Sequence, residues 1–344
     1  MKRIGNLYDK IISLDNLRLA EENARKGKQH TYGVRVFDRD RETNLQKLHE
    51  ALKAGTYKTS NYTTFVIHEP KERIIYRLPY FPDRILHHAV MNVLEPIWVS
   101  IFTSDTYSCI KGRGLQPAAD KVKKTIAKDK NFCRYCLKID IKKFYPSIDH
   151  DILKSLIRKK LKDPRLLKLL DEIIDSANGL PIGNYLSQYL ANLTLAYFDH
   201  WVKEVKKVRY YFRYADDMVV LANDKEYLRQ LLEDFETYIT AKLRLQVKSN
   251  KQIFPVAKDH RDRHGRGVDF LGYVFYLNET RLRKSIKRNF CRKIARLCKA
   301  RRPLSAKDFR QAIASWLGWC MHSDSDYFIK CLNQKIQPYE INIR

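Results

Sequence analysis

The sequence predicts an α+β protein in which short antiparallel strands are packed by many amphipathic helices. The first observation is Tyr210–Ala222 (YYFRYADDMVVLA), two runs rich in aromatic and β-branched residues around Ala215-Asp216-Asp217. This is the pattern of a β-hairpin with an acidic pair at its turn. The second is a set of further strand-like runs, at 62–79, 132–140 and 268–275, separated by segments of helical periodicity. The third is the region after residue 277, where apolar residues recur at helical spacing among basic ones.

Length and composition bound the function classes. With 344 residues the chain can bury one large core or two modest ones. No apolar stretch approaches the ~18 residues of a spanning helix and no signal-peptide pattern opens the chain, so a cytoplasmic protein without a membrane partner is expected. Seven cysteines are scattered; Cys133-Arg-Tyr-Cys136 is the only CxxC, has no second pair at zinc-finger spacing, and reads as two buried thiols entering a strand. The formal charge of +27 exceeds what a small-molecule enzyme needs. It fits a polyphosphate partner whose counterions are released on binding.

Taken in order, the first 55 residues read as two helical segments, one with Leu7, Ile11 and Ile12, the other with Leu45, Leu48 and Leu52. Residues 62–79 are two strands about a Pro-Lys-Glu turn, a hairpin with Lys71 and Arg73 near its tip. A helix over Pro82–Trp98 buries Ile85, Leu86, Ala89, Val90, Val93 and Leu94, and its His87 and His88 lack a third ligand at metal-site spacing. Ser108–Gly114 is a basic turn containing Arg113, without the Lys-Ser/Thr of a P-loop. Cys136–Asp140 is a strand ending in a carboxylate, with Tyr145 five positions on. Asp149 and Asp163 are placed to cap the next two helices. Asn178–Gln188 is a glycine-containing loop entering a helix, where backbone can approach a sugar or base closely.

Beyond the acidic hairpin, Asn223–Glu226 forms a capping box for a helix with Leu228, Leu231, Leu232, Phe235 and Ile239 inward. Between Arg281 and Arg302 there is no acidic residue. Arg283, Lys284, Lys287, Arg288 and Arg292 surround an apolar stripe of Ile286, Phe290, Ile294 and Leu297, a surface suited to tracking phosphates. Two more helices follow, one from Ser305 and one over Tyr327–Ile336. Two adjacent carboxylates, Asp216 and Asp217, repel at a tight turn unless a cation or strong donors neutralise them. Between apolar strands they suit a hard divalent metal.

In this order the motifs resemble those of reverse transcriptases. Tyr214-Ala-Asp-Asp217 is similar to their YxDD hairpin, Asp140 with Tyr145 to motif A, Asn178–Gln188 to motif B, Leu245–Lys251 to motif D, and residues 268–275 to the primer-grip hairpin. Within the prokaryotic, group II intron-like class, most members carry Gln-Gly-x-x-x-Ser-Pro in motif B. Here Ile182-Gly-Asn-Tyr-Leu-Ser-Gln188 has Ile182 for Gln and Gln188 for Pro, a pattern that resembles reverse transcriptases of diversity-generating retroelements.

The resemblance implies a right-hand polymerase fold: an N-terminal helical extension over 1–60, fingers and palm over 61–276, and a basic helical thumb over 277–344. It implies copying of an RNA template into DNA from deoxynucleoside triphosphates. Two Mg²⁺ ions would be held by Asp140 and Asp216, with Ile141 in the same site and Asp217 ligating less directly. Lys71 and Arg73, the latter the better match, would hold the triphosphate. Ile141, Tyr145, Ile182, Gly183, Ser187 and Gln188 would surround the nucleotide, with Tyr145 under its sugar. Lys251, or the neighbouring Lys248, would protonate the leaving pyrophosphate. Arg113, Leu271, Gly272, Arg283, Lys284, Lys287, Arg288 and Arg292 would hold template RNA and the RNA/DNA duplex. In that family the enzyme makes errors at template adenines, works with a small basic accessory protein, and diversifies a target gene. Two other readings stay open: a prokaryotic reverse transcriptase of antiviral defence or group II intron mobility, and a non-catalytic RNA-binding protein on the same fold.

Overall fold

Residues 3–68, 72–299 and 304–336 are described by the computed structural model. They divide into two units that interleave along the chain: Met1–Cys109, Ile141–Lys206 and Phe235–Val247 form one, and Ile110–Asp140, Lys207–Asp234 and Lys248–Arg344 form the other.

The first unit begins with four helices, α1 (Tyr8–Ile12), α2 (Leu14–Arg25), α3 (Tyr32–Asp38) and α4 (Arg41–Ala54), where two segments were expected. Ser13 makes one of the two extra breaks: its hydroxyl accepts from the Asn16 amide at 3.3 Å, so it ends α1 and caps α2. The hairpin β1 (Thr63–Ile67) and β2 (Arg73–Arg77) pairs Thr63 with Arg77 through Ile67 with Arg73. Its turn, with Lys71, lies outside the described residues. A π-helical turn, Tyr80–Arg84, leads directly into helix α5 (Ile85–Val99); its one non-helical residue is Phe81, extended at φ −115° and ψ 137°, so helical backbone begins at Pro82 as expected. His87 is buried in it, and His88 stacks on Tyr185 at 4.6 Å.

In the second unit, α6 (Leu115–Lys128) precedes β3 (Tyr135–Asp140). Cys133 and Cys136 are buried and free, as expected of core thiols. Two helices of the first unit, α7 (His150–Lys160) and α8 (Pro164–Ile174), carry the expected caps: Asp149 accepts from Ile152 at 3.0 Å and Asp163 from Leu166 at 3.3 Å. Asp163 also accepts from the Leu7 and Tyr8 amides, tying α1 to the start of α8. Helix α9 (Tyr185–His200) completes that unit's core, with twelve of its sixteen residues buried, so nearly every face is packed.

The strands β4 (Tyr210–Tyr214), β5 (Asp217–Ala222) and β6 (Gln252–Pro255) join β3 in an antiparallel sheet of order β4-β5-β3-β6. Met218–Ala222 are all buried, as a central strand covered on both faces requires. Helix α10 (Lys225–Leu243) is capped by Asp224, whose carboxylate accepts from Glu226 at 2.8 Å; the expected cap was one residue earlier. A second sheet contains β7 (Val268–Phe270), β8 (Tyr273–Phe275) and a strand the sequence did not reveal, β9 (Thr280–Leu282). Helices α11 (Lys284–Cys298), α12 (Ala306–Met321) and α13 (Asp326–Ile336) follow. Phe290 stacks on Trp316 at 5.7 Å, and Ser305 caps α12 by accepting from Asp308 at 3.1 Å.

Candidate active site

The turn between β4 and β5 contains only Ala215 and Asp216, with Tyr214 paired to Asp217. Ala215 has φ 53°, in the left-handed region that tight hairpin turns use at their first central position. An alanine there is strained by roughly 1 kcal/mol. Arg213, fully buried in β4, donates from Nη1 to the Ala215 carbonyl at 3.0 Å and braces the turn. Asp216 therefore stands at the tip and Asp217 at the first position of β5. The register sets Asp217 directly opposite Asp140, the last residue of β3. Paired Cα atoms in such a ladder lie about 4.5–5.5 Å apart, so three carboxylates share one end of the sheet.

Two lysines reach this cluster. Strand alternation puts Lys138 on the same face as Asp140; its Nζ lies 3.6 Å from Asp217 Oδ2 and donates to the Asp269 carbonyl of β7. Lys248 forms an ion pair with Asp140 Oδ2, and its backbone N–H donates to the Asp140 carbonyl at 2.8 Å. Lys248 is therefore bonded to Asp140, and Lys251 lies exposed just before β6. Lys138 was not foreseen, although its two-residue spacing from Asp140 in a strand is the signal that finds it.

Burial pushes the Asp217 carboxyl up to about 6, with Asp140 adding to the rise and Lys138 opposing it. Burial and the neighbouring Asp140 carboxylate raise Asp216 as well. Asp140 Oδ1 and Asp217 Oδ1 are buried without a hydrogen-bond partner. Such unpartnered oxygens at a cluster of carboxylates fit a hard divalent cation that takes oxygen ligands. Among the described residues, no three acidic, histidine or cysteine side chains stand in a ready-made metal cage; here each outer carboxylate leans on a lysine instead. Ile141 is fully buried, so its side chain packs and only its backbone could face a ligand.

The first unit gathers the expected nucleotide residues around a second feature. The Tyr145 carbonyl accepts from the Leu180 amide at 2.8 Å, and the Ile182 carbonyl accepts from Tyr76 of β2 at 2.7 Å. The 178–188 loop thus runs from the Tyr145 turn to the β1–β2 hairpin. Gly183, at φ 121°, sits where a Cβ would come 2.4 Å from the Tyr76 carbonyl oxygen, so only glycine lets the loop approach β2. Ser187 is buried, Gln188 exposed, and Arg73 exposed at the start of β2. A cavity of about 810 Å³ opens beside the loop, lined by Lys28, Tyr76, Arg77, Arg84, Gly183 and Tyr185 among others. Arg84 and Arg77 push the Lys28 ammonium down from its usual range, the mark of a positive cluster without a matching anion.

In the second unit, Leu271 and Gly272, both at positive φ, form the β7–β8 turn. Leu271 is buried, and a Cβ on Gly272 would come 2.6 Å from Ile286 and Trp319, so this tip is packed against α11 and α12. Arg283 is held by Asp269, and Lys287 lies 4.6 Å over the Phe328 ring, while Lys284, Arg288 and Arg292 are exposed. Arg113 is half-buried in its turn. If α11 tracks a duplex, neutralising Arg288 and Arg292 together should flatten the log–log salt dependence of RNA/DNA binding by about one unit per lost phosphate contact. Neutralising Lys287 should instead lower thermal stability through its lost ring contact. An unchanged salt slope in the Arg288/Arg292 variant would make α11 a merely solvated face.

A family model described as reverse transcriptase (RNA-dependent DNA polymerase) matches residues 67–275. Protein YkfC of Escherichia coli is 24% identical over 276 residues, covering 67% of this chain and 70% of that protein. The group II intron-encoded protein LtrA of Lactococcus lactis is 28% identical over 178 residues, covering 48% of this chain and 29% of LtrA. The chain thus spans most of the first relative's length and under a third of the second's. Apo telomerase from Candida tropicalis superposes with a TM-score of 0.50 at 12% identity, over 75% of this chain and 56% of that one, a likeness of fold. Among the described residues no helix is long and apolar enough to cross a membrane.

Proposed function

Because the chain belongs to the reverse transcriptase family, we propose that it copies an RNA template into DNA from deoxynucleoside triphosphates. The observation that carries the reading is the register that sets Asp140 opposite Asp217 with Asp216 at the turn. Members of the family use divalent metal ions; here Asp140, Asp216 and Asp217 would hold two Mg²⁺, with the Ile141 backbone beside them. Once bound, such ions activate the primer 3′-hydroxyl and stabilise charge on the leaving pyrophosphate. Lys248, whose Nζ is paired with Asp140, would protonate that leaving group, with Lys251 as the alternative. Arg73 and Lys71 would grip the triphosphate, Ile182, Gly183, Ser187 and Gln188 would line the nucleotide site, and Arg113, Leu271, Gly272 and the α11 cations would guide the duplex. The positive cavity lined by Lys28, Arg77 and Arg84 suits a further stretch of nucleic-acid backbone. Residues 1–60, 61–276 and 277–344 would serve as extension, fingers with palm, and thumb.

Extension of a DNA primer on an RNA template tests the assignment. Product that requires added divalent cation supports it; no template-dependent product, with RNA still bound, leaves a binding module.

Tyr145 would gate the sugar, its ring meeting a 2′-hydroxyl. Tyr145→Ala should then admit ribonucleotides, raising their use relative to deoxynucleotides by roughly 10-fold or more, since a lost steric contact of this size is worth on the order of 1–3 kcal/mol. Wild-type discrimination in the variant would reduce Tyr145 to a packing aromatic.

The finer reading, a mutagenic retroelement enzyme working with a small basic accessory protein, rests on Ile182 and Gln188 in the 178–188 loop. Ile182 lacks the hydrogen-bonding group of a glutamine, worth on the order of 1 kcal/mol, about fivefold in selectivity. Ile182→Gln should lower misincorporation opposite template adenine by about that factor without abolishing it. Sequencing copies of one RNA holding all four bases decides this: errors spread evenly over the four in the unaltered protein would point to an ordinary reverse transcriptase, of intron mobility or antiviral defence.

A further inference from the structure

Lys138 is the charged group at the carboxylate cluster that the reaction chemistry leaves without a task. Its Nζ is shared between Asp217 Oδ2, at 3.6 Å, and the backbone carbonyl of Asp269 in β7. Asp269 is itself fastened through its carboxylate to Arg283 Nε at 2.7 Å, and Arg283, the residue that caps α11, donates its backbone N–H to the Gly272 carbonyl at 2.9 Å. A continuous polar path therefore runs from Asp217 through Lys138 to the β7–β8 hairpin and the start of α11. The ammonium engages only one oxygen of Asp217; the other, Oδ1, is buried with no partner.

A cation approaching Asp217 and the Lys138 ammonium compete for the same negative charge. The ammonium also has a second acceptor, the Asp269 carbonyl, on which it can remain if the carboxylate turns away. We propose that Lys138 is a positioning residue that acts as the built-in counter-ion of the carboxylate cluster: it holds Asp217 when no divalent cation is bound and yields it on loading, while staying attached to β7. The inference rests on the reading of Asp140, Asp216 and Asp217 as a divalent-cation site. It accounts for carboxylates that share one sheet end yet lean on lysines rather than forming a cage.

Direct titration of the full chain with Mn²⁺, followed by the electron paramagnetic resonance signal of free Mn²⁺ without primer or nucleotide, tests it. Lys138→Met removes the charge and keeps most of the stem; it should bind Mn²⁺ about 5–10-fold more tightly, the scale expected when one neighbouring charge pair is removed at partial exposure. Lys138→Arg should bind within about twofold of the unaltered protein, because the competing charge remains. Asp217→Asn should weaken binding. Far-UV circular dichroism confirms folding, and Lys138→Gln substitutes for Lys138→Met if the latter does not fold. Unchanged or weaker Mn²⁺ binding by the neutral variants, with Asp217→Asn weakened, overturns the counter-ion role alone. Unchanged binding by Asp217→Asn overturns the cation-site reading and the inference together.

Discussion

Asp216→Asn is expected to lower primer extension by on the order of 10³-fold or more while leaving RNA affinity within about twofold. Losses of this size follow when a group that stabilises charge in the transition state of phosphoryl transfer is removed. Affinity is spared because the variant alters one carboxylate at a turn and none of the 66 Lys and Arg side chains of a chain that carries +27. The same substitution should stabilise the metal-free protein. Burial and the Asp140 carboxylate raise the Asp216 pKa, so ionising it opposes folding. The sign follows: below about pH 4 the group is protonated in folded and unfolded chains alike and the variant gains nothing. As pH rises toward neutrality, only the unfolded chain ionises freely, and the variant's advantage grows until the folded carboxyl also loses its proton. Thermal unfolding at pH 5 and pH 8 reads this difference, larger at pH 8. Substantial extension by the variant in Mg²⁺, or a melting midpoint below that of the unaltered protein at pH 8, would contradict the account.

Gly183→Ala is expected to have a large effect for one added methyl group. The position combines φ 121° with a Cβ that would lie 2.4 Å from the Tyr76 carbonyl oxygen and 3.1 Å from Ile75 Cγ2. The obstacle is backbone, which cannot swing aside as a side-chain tip can. Strained φ and a broken Ile182–Tyr76 hydrogen bond together should cost about 2–4 kcal/mol. A loop displaced by about 1 Å from a nucleotide should cost on the order of 10²-fold in turnover. Gly112→Ala is the matched control, with φ 76° but open space around its Cβ, and should show only the backbone strain. Equal melting midpoints and equal extension rates for the two variants would remove Gly183 from the nucleotide site.

Local signals in the sequence were strong where chemistry is local. The acidic turn was legible because its two flanks are rich in aromatic and β-branched residues and end within two residues of each other. The caps at Asp149 and Asp163 were legible because a capping side chain bonds an amide two or three residues on. The three C-terminal helices follow from an apolar stripe whose Phe290 meets Trp316. Contacts between distant positions were not legible. Lys248 reaches Asp140 across 108 residues, and no spacing rule separates it from Lys251 three positions on. Lys138 could be placed on the Asp140 face by alternation, but its second partner, Asp269, depends on how β7 is laid down. Strand β9 has three residues, too few for a period, and exists through its pairing with Tyr273–Phe275. Ile141, which the family resemblance set in the metal site, is buried, so only its backbone is left for that task. Lys287 and Arg283 looked like their neighbours in a basic run, yet a ring and a carboxylate already engage them.

Reading RNA and writing DNA with Asp140, Asp216 and Asp217 is the activity proposed for this chain. Its most direct test is to incubate the purified chain with a DNA primer annealed to an RNA template of known sequence, the four deoxynucleotides and Mg²⁺, and to sequence whatever is made. The account predicts DNA complementary to the RNA, made by the unaltered protein and absent with Asp140→Asn. RNA that is bound but never copied, or DNA whose sequence is independent of the template, would contradict it.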